Sequence, residues 1–214
     1  MKQKSNEWYQ ARLGRFTASQ CADLMGKVAR TDSINLSFFQ SQTARNYILE
    51  KVAETLTGNR EELFSKAMDW GTQLEPDALE YFELSKDLKV EKIGIIKSDT
   101  NGSISCSPDG LVSEDKGIEI KCPFNSRNHI LHMMVGDAES LRKINARYYW
   151  QIQMCLMLSK RKSWYFASYD PRFEGKFRMH IAEIERNKED IELLSVRLEK
   201  ACEIKQSILK QISY

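Results

Sequence analysis

Several features that would assign a protein class at once are missing from this sequence of 214 residues. Its five cysteines include no CxxC pair, which argues against a zinc ribbon or a disulfide framework, so we interpret them as buried thiols. No apolar run approaches the roughly 18 residues that a membrane span requires, and the start MKQKSNEWYQ lacks the apolar core of a secretion signal. We therefore expect a cytoplasmic protein with no membrane partner.

Strong charge of one sign is missing too, since the formal net charge is +2. A strongly basic chain would be the usual sign of nucleic-acid binding, so any basic surface here must be local. The three histidines share no ligand spacing with a cysteine or an acidic residue, and we expect them at the surface or partly packed rather than on zinc. The clustered C-terminal cysteines of an iron–sulfur nuclease are also lacking, because Cys202 stands there alone.

Helical spacing of apolar residues is present in four segments. It predicts helices over residues 35–57, 68–85, 142–159 and about 187–212. Gly58 is a plausible stop for the first, and Pro76 indicates a start or a kink in the second, close to Glu75. The last segment is amphipathic and opens with the capping residue Asn187.

Between and after these helices the period changes to that of short strands. The β-rich segments are KVEKIGIIK, GSISCS, DGLV, GIEIK, SWYFASYD and FRMHIAEI. This order favours an α/β or α+β protein with a mixed central sheet flanked by helices, and we expect residues 1–214 to form one domain.

One short stretch, SPDGLVSEDKGIEIKCP, concentrates charge around two apolar runs. In a strand, residues two apart share a face, so Glu119 and Lys121 must emerge together while Ile118 and Ile120 face the core. A hairpin through SEDKG would place Asp109 opposite Glu119. Two converging carboxylates repel unless a cation neutralises them, and oxygen ligands favour Mg²⁺ or Mn²⁺. The alternative for such a pair is an ordinary solvated ion pair on an exposed strand.

The wider sequence bears on this choice. PD, a nine-residue gap and E-x-K form the PD-(D/E)xK nuclease signature, and five blocks surround it in order: EWYQARLGRFTAS, WGTQLEPDALEYFE, SCSPDGLVSEDKGIEIKCPFNSR, YYWQIQ and WYFASYDPR. Together they resemble the phage lambda exonuclease and viral recombinase family from about Glu7 to about Arg172. The resemblance implies a restriction-endonuclease-like core.

For the site, the resemblance implies specific roles. Asp109 and Glu119 match the metal ligands, Ile120 contributes a backbone carbonyl to the metal, Lys121 matches the catalytic lysine and Glu75 matches a helix carboxylate near the site. A pocket for the terminal 5′ phosphate is implied for a further set of residues. These are Arg12, Ser19, Ser107 and Gln151.

Some positions carry two interpretations. Met68 falls where the family places an apolar wedge, with Arg30 near an assisting loop, but a methionine filling a gap in the core is the alternative. The loop KVARTDSINLS departs from the family in length, and HILHMMVGDAESLRKIN contains extra residues. We assign the four tryptophans to the core, because large aromatic residues most often serve packing.

The function implied by the resemblance is a Mg²⁺-dependent exonuclease, with Mn²⁺ as a substitute, that digests the 5′ strand of linear double-stranded DNA. It would leave a 3′ overhang for a single-strand annealing protein and would work as a homotrimer ring, in the bacterial host cell if phage encoded. One alternative is an endonuclease or repair nuclease on the same core. Another is a non-catalytic module that binds DNA ends.

Overall fold

A computed structural model of the chain describes residues 1–30, 33–60 and 65–212. Thr31 and Asp32 of the KVARTDSINLS loop lie outside the described residues. The α-helices are α1 (Asn6–Arg12), α2 (Gln42–Thr57), α3 (Lys66–Lys86), α4 (Ser126–His132), α5 (Ala138–Ile144), α6 (Ala146–Ser159) and α7 (Lys188–Ile212). The strands are β1 (Phe16–Thr17), β2 (Val90–Glu91), β3 (Ile96–Lys97), β4 (Ile104–Cys106), β5 (Gly110–Val112), β6 (Lys116–Lys121), β7 (Ser163–Tyr169) and β8 (Met179–Glu185).

The strands form two mixed sheets. The larger has the order β2-β5-β6-β7-β8, in which β6 and β7 are parallel and the other neighbours are antiparallel. The smaller has the order β1-β4-β3, with β1 parallel to β4. A mixed central sheet flanked by helices is the predicted fold class, and the structure confirms it.

Helices cover both faces of the larger sheet. On one face, Ala78, Leu79 and Phe82 of α3 pack with Ile118 and Ile120 of β6. On the other face a larger core joins α2, α6 and α7 to the sheet, and Trp164 and Phe166 of β7 and Ile184 of β8 belong to it. Strand β6 is therefore buried at its centre, which fixes its register and the direction of its side chains.

Two predicted helices differ from the observed ones at their starts. The segment 35–57 contains a 3-10 helix, Leu36–Phe38, before α2 begins at Gln42. Phe39 between them is extended because it pairs with Val28 in an isolated β-bridge. The segment 142–159 is split at Asn145, whose extended backbone ends α5 and whose side chain accepts a hydrogen bond from the backbone N–H of Tyr148 to cap α6.

The other helix starts and stops predicted from the sequence are nearer to the observed ones. Helix α2 ends at Gly58, whose φ of 65° is the left-handed conformation that glycine adopts without strain. Helix α3 runs through Pro76 rather than starting there. Asn187 accepts from the backbone N–H of Asp190 at 3.0 Å at the start of α7. No described helix is long and apolar enough to cross a membrane.

Candidate active site

Strands β5 and β6 bring the three predicted charges together. Their antiparallel register pairs Gly110 with Ile118, so Asp109, one residue earlier, faces Glu119. The backbone N–H of Ile120 donates to Asp109 Oδ2 at 2.6 Å, and Lys121 Nζ donates to Glu119 Oε1 at 2.6 Å. The period of the strand thus places Glu119 and Lys121 on one face, as the sequence predicts.

The carboxyl groups of this cluster are poorly solvated. Glu119 is 2% exposed, and its Oε2 is buried without a hydrogen-bond partner among the described residues. Burial, followed by the nearby charge of Glu119, raises the pKa of Asp109 well above its ordinary value. Burial lowers the pKa of Lys121, but Glu119, Tyr148 and Asp109 outweigh it and the net shift is upward. A buried carboxylate oxygen without a donor is a site that a cation would satisfy.

The ligands available here suit Mg²⁺ better than a metal ion that takes all of its ligands from protein side chains. Within the described part of the chain, no three His, Cys, Asp or Glu side chains are grouped to hold a metal ion. Asp109, Glu119 and Ile120 all line the same cavity. Glu75 lines it too but is paired with Lys4, which leaves two carboxyl groups and the main chain of Ile120 as candidate ligands. Mg²⁺ is usually bound by one or two carboxylates and completes its shell with water and substrate phosphate.

Glu75 approaches the cluster from α3. Its Oε2 pairs with Lys4 Nζ at 3.0 Å, and Lys4 Nζ also lies 3.4 Å from Thr72 Oγ1. The carboxylate lines the cavity and adds to the upward pKa shift of Asp109. No local signal in the sequence marks Lys4, because Lys4 and Glu75 are far apart along the chain.

Gln151 lies on the acidic cluster itself. Its Nε2 donates to Glu119 Oε1 at 2.5 Å, and its Oε1 accepts from Lys121 Nζ at 3.3 Å. The Lys121 ammonium also lies 4.5 Å from the centre of the Tyr148 ring. Tyr148, three residues before Gln151 on α6, therefore holds the lysine by a cation–π contact. This i, i+3 spacing is the signal that would have identified it from the sequence.

A basic pocket adjoins the cluster. Arg12 Nη1 donates to Ser107 Oγ at 2.9 Å, while its guanidinium lies 4.4 Å from the centre of the Trp8 ring. The indole of Trp8 donates to Ser107 Oγ and to the Gly94 carbonyl, both at 3.0 Å. Arg12 Nε is buried and has no partner in the part of the chain that the structure describes. Ser19 is exposed on the wall of the same cavity.

All of the predicted site residues line one cavity of about 1140 Å³. The cavity reaches from the acidic cluster past Arg12 to the first turn of α3. Met68, in that turn, is 58% exposed and lines the cavity, so the interpretation of Met68 as core filling is wrong. Arg30 is exposed and is not among the described residues that line it.

The histidines and tryptophans depart from expectation. His129 and His132 are buried, at 0% and 3% exposure, where a surface or partly packed position was predicted. They share the hydroxyl of Ser168, which lies 2.8 Å from Nδ1 of each ring. Trp150 and Trp164 are buried in the core, but Trp8 also lines the cavity and Trp70 is only half-buried.

The cysteines are free thiols, as predicted. Four are buried, whereas Cys122 is half-buried beside the acidic cluster. Burial and the charge of Asp109 raise the pKa of Cys122 to about 12, so its thiol is not a nucleophile at neutral pH.

Comparison with known proteins extends this picture. The sequence profile described as the YqaJ-like viral recombinase domain matches residues 7–162. An alkaline exonuclease from Laribacter hongkongensis is similar over 98% of this chain and 96% of its own, with 29% identity and a TM-score of 0.82. Its complex with dAMP gives a TM-score of 0.81 at 30% identity, covering 97% of this chain and 96% of that chain.

A more distant structure shares the fold. A phage-related exonuclease from Haemophilus somnus 129PT covers 92% of this chain and 96% of its own, with 17% identity and a TM-score of 0.72. Among curated proteins, no sequence matches the chain.

Proposed function

This chain belongs to the YqaJ-like viral recombinase family, and from that premise we propose that it is a divalent-metal-dependent exonuclease that digests the 5′ strand of linear double-stranded DNA. The remaining 3′ overhang would be the substrate of a single-strand annealing protein. Residues 1–214 would act as a single nuclease domain, assembled as a homotrimer ring.

The observation that carries the proposal is the buried corner formed by Asp109, Glu119 and Lys121. It combines a carboxylate oxygen without a partner, a second carboxyl group with a raised pKa and an ammonium group within 2.6 Å of Glu119. A purely structural ion pair would satisfy both oxygens of a buried glutamate. A nuclease site, by contrast, leaves such an oxygen for the metal.

Asp109, Glu119 and the Ile120 carbonyl would hold Mg²⁺, with Mn²⁺ as a substitute. When bound, the ion supplies positive charge that polarises the phosphodiester and steadies the charge on the leaving oxygen. Lys121 has three N–H donors, of which Glu119 and Gln151 engage two. The third can orient the water that attacks phosphorus, while Tyr148 limits the movement of the ammonium group.

Hydrolysis would release the terminal nucleotide at the acidic cluster, and the preference for DNA ends would come from the adjoining pocket around Arg12. Water forms a bond to phosphorus, the bond from phosphorus to the 3′ oxygen breaks, and that oxygen takes a proton to become a 3′ hydroxyl. The products are a 5′-mononucleotide and a shortened strand with a new 5′ phosphate, which can re-enter the pocket formed by Arg12 and Ser107. The Laribacter exonuclease is known in complex with dAMP, a nucleotide of this product class.

The test is digestion of one linear duplex, labelled at each 5′ end in turn, with a covalently closed circle as control. We expect rapid release of the label from either 5′ end as mononucleotide and a resistant circle. Cutting of the circle would favour an endonuclease on the same core and contradict an exonuclease.

Lys121→Ala separates catalysis from DNA-end binding. We expect a loss of at least about a hundredfold in rate, as for other groups that position the reacting water. The matched control is Lys143→Ala, since Lys143 is 73% exposed in a surface pair with Glu139. If the Lys121 variant digests DNA as fast as the control, the catalytic assignment is wrong and the interpretation as a DNA-end-binding module gains support.

A further inference from the structure

Arg60 is a second arginine on the wall of the cavity that contains Arg12. It lies just beyond α2, is exposed, and its Nε is 3.9 Å from Glu54 Oε1, at the outer limit of an ion pair. That oxygen already accepts from Lys51 Nζ at 2.7 Å, and Glu54 Oε2 accepts from the backbone N–H of Gly14 at 2.9 Å. The guanidinium of Arg60 is therefore loosely held and available to a ligand.

Positive charge exceeds negative charge in this region. Lys51 and Lys205 are buried nearby, at 2% and 4% exposure, and Lys205 Nζ donates to the carbonyl of Gly14 rather than to a carboxylate. Glu50 and Glu54 both pair with Lys51. Because Lys51 already engages both glutamates, they do not fully neutralise Arg12 and Arg60, which line the cavity.

The two arginines also repel each other. Burial first, and then the charge of Arg60, lowers the pKa of Arg12. Two like charges on one cavity wall are unfavourable unless an anion lies between them or near both. Arg12 and Arg60 together therefore suit an anion that carries more than one negative charge.

The end of a 5′-phosphorylated strand has that charge. A terminal phosphate monoester carries about −1.5 to −2 at neutral pH, because its second pKa is near 6. An internal diester carries one charge, and a 5′ hydroxyl carries none. Arg12 alone balances a diester, whereas two arginines balance the monoester.

Given the proposed function, we propose that Arg60 is a specificity-determining residue that contacts the terminal 5′ phosphate together with Arg12. Arg12, fixed by Ser107 and Trp8, supplies the rigid contact. Arg60 supplies the second charge, which distinguishes a phosphorylated end from an internal phosphate or a hydroxyl end.

The test measures binding of the full-length protein to short linear duplexes that differ only in the 5′ group, phosphate or hydroxyl, with Ca²⁺ in place of Mg²⁺. Arg60→Ala should weaken binding of the phosphorylated duplex by about tenfold, the low end of a charge-assisted hydrogen bond at an exposed side chain. Binding of the hydroxyl duplex should change by less than about twofold. Arg60→Lys keeps the charge and should retain most of the discrimination.

The matched control is Lys89→Ala, which removes one positive charge from a side chain that is 93% exposed and outside the cavity. It should leave the preference for a phosphorylated end unchanged. Equal melting temperatures of the Arg60→Ala variant and the parent will show that the fold is intact.

Two results would overturn the inference. If Arg60→Ala binds both duplexes as the parent does, Arg60 is an ordinary surface arginine. If it weakens both duplexes equally, Arg60 contacts an internal phosphate instead. A parent protein that prefers phosphorylated ends but does not digest linear DNA would refute the proposed function and leave this contact standing.

Discussion

Asp109 and Glu119 place two carboxyl groups in one corner of the cavity, and only part of their charge is balanced. Lys121 engages Glu119 Oε1, whereas Glu119 Oε2 is without a partner among the described residues. Such an arrangement destabilises the folded chain until a cation binds, because desolvation and repulsion both oppose the charged carboxylates. Stability in chelator and stability in metal should therefore respond differently to the same substitution.

Asp109→Asn tests this balance without measuring activity. The amide oxygen of the new side chain can still accept from the backbone N–H of Ile120, while one negative charge is removed. In excess chelator we expect the variant to be more stable by about 1 kcal/mol, or about 2–4 °C in melting temperature for a chain of this size.

Addition of Mn²⁺ should reverse the order. Ligand binding to the folded state stabilises it by about 2.7 kcal/mol at a hundred times the dissociation constant, so the parent should gain more than the variant. Equal shifts of the two melting temperatures on adding Mn²⁺ would mean that the ion does not bind at Asp109.

The position of a site residue could be predicted from the sequence only when the residues it meets lie close to it along the chain. The positions of Glu119 and Lys121 follow from the two-residue period of β6, and that of Asp109 follows from one short hairpin. Lys4 and Arg60 reach the same cavity from distant parts of the sequence, and no local pattern marks them. Exposed lysines and arginines that belong to no motif can be assigned to a site only once the fold is known.

At the scale of elements, helix α4 packs on β7 through a chain of hydrogen bonds. His129 Nε2 must donate to the Phe177 carbonyl, 2.8 Å away, because a carbonyl only accepts. Nδ1 of His129 and Nδ1 of His132 each lie 2.8 Å from the Ser168 hydroxyl, which can donate to one ring and accept from the other. The imidazole of His132 is thus buried beneath α4 with little access to water, which opposes a positive charge on that ring.

Burial of His132 predicts a loss of stability in mild acid. Burial, followed by the positive charges of His129, Lys121 and His180, lowers the pKa of His132 to about 4 from 6.5. Between these values the unfolded chain binds a proton that the folded chain does not, so stability falls as pH falls. From pH 7 to pH 5 the free energy of unfolding should decrease by about 2 kcal/mol through this group.

Urea denaturation at both pH values measures the decrease. His132→Asn keeps an N–H donor near the Ser168 hydroxyl but does not titrate, so its loss of stability between pH 7 and pH 5 should be smaller by about the same 2 kcal/mol. An unchanged pH dependence in this variant would show that His132 does not contribute to it.

Elements were predicted best where one period continues without interruption. Strands β5 to β8 and helix α7 match the predicted segments to within two residues, because their apolar faces contact the core. The predicted starts of α2 and α6 were wrong because Phe39 joins a β-bridge with Val28 and the backbone of Asn145 is not helical. Helical spacing continues across both points, so periodicity alone could not detect tertiary contacts that override it.

At the scale of the whole molecule, the proposed ring would account for sustained digestion of DNA by a chain of small net charge. A net charge of +2 on 214 residues gives weak non-specific attraction to DNA, and that attraction weakens further as salt rises. An exonuclease that removes many nucleotides in one encounter therefore needs another means of staying on its substrate. A closed ring provides one, because the duplex cannot leave sideways whatever the local affinity.

The proposed ring predicts two outcomes that a monomer does not share. The mass in solution should be three times the 24.9 kDa of one chain at micromolar concentration and moderate salt. Digestion that has begun on a labelled duplex should continue after a large excess of unlabelled DNA is added, since an enclosed substrate does not exchange. A monomer with weak electrostatic binding would instead stop within a few nucleotides. Mass photometry and a competitor challenge on the same preparation decide between them, because a monomeric mass with persistent digestion would contradict enclosure as the cause of processivity.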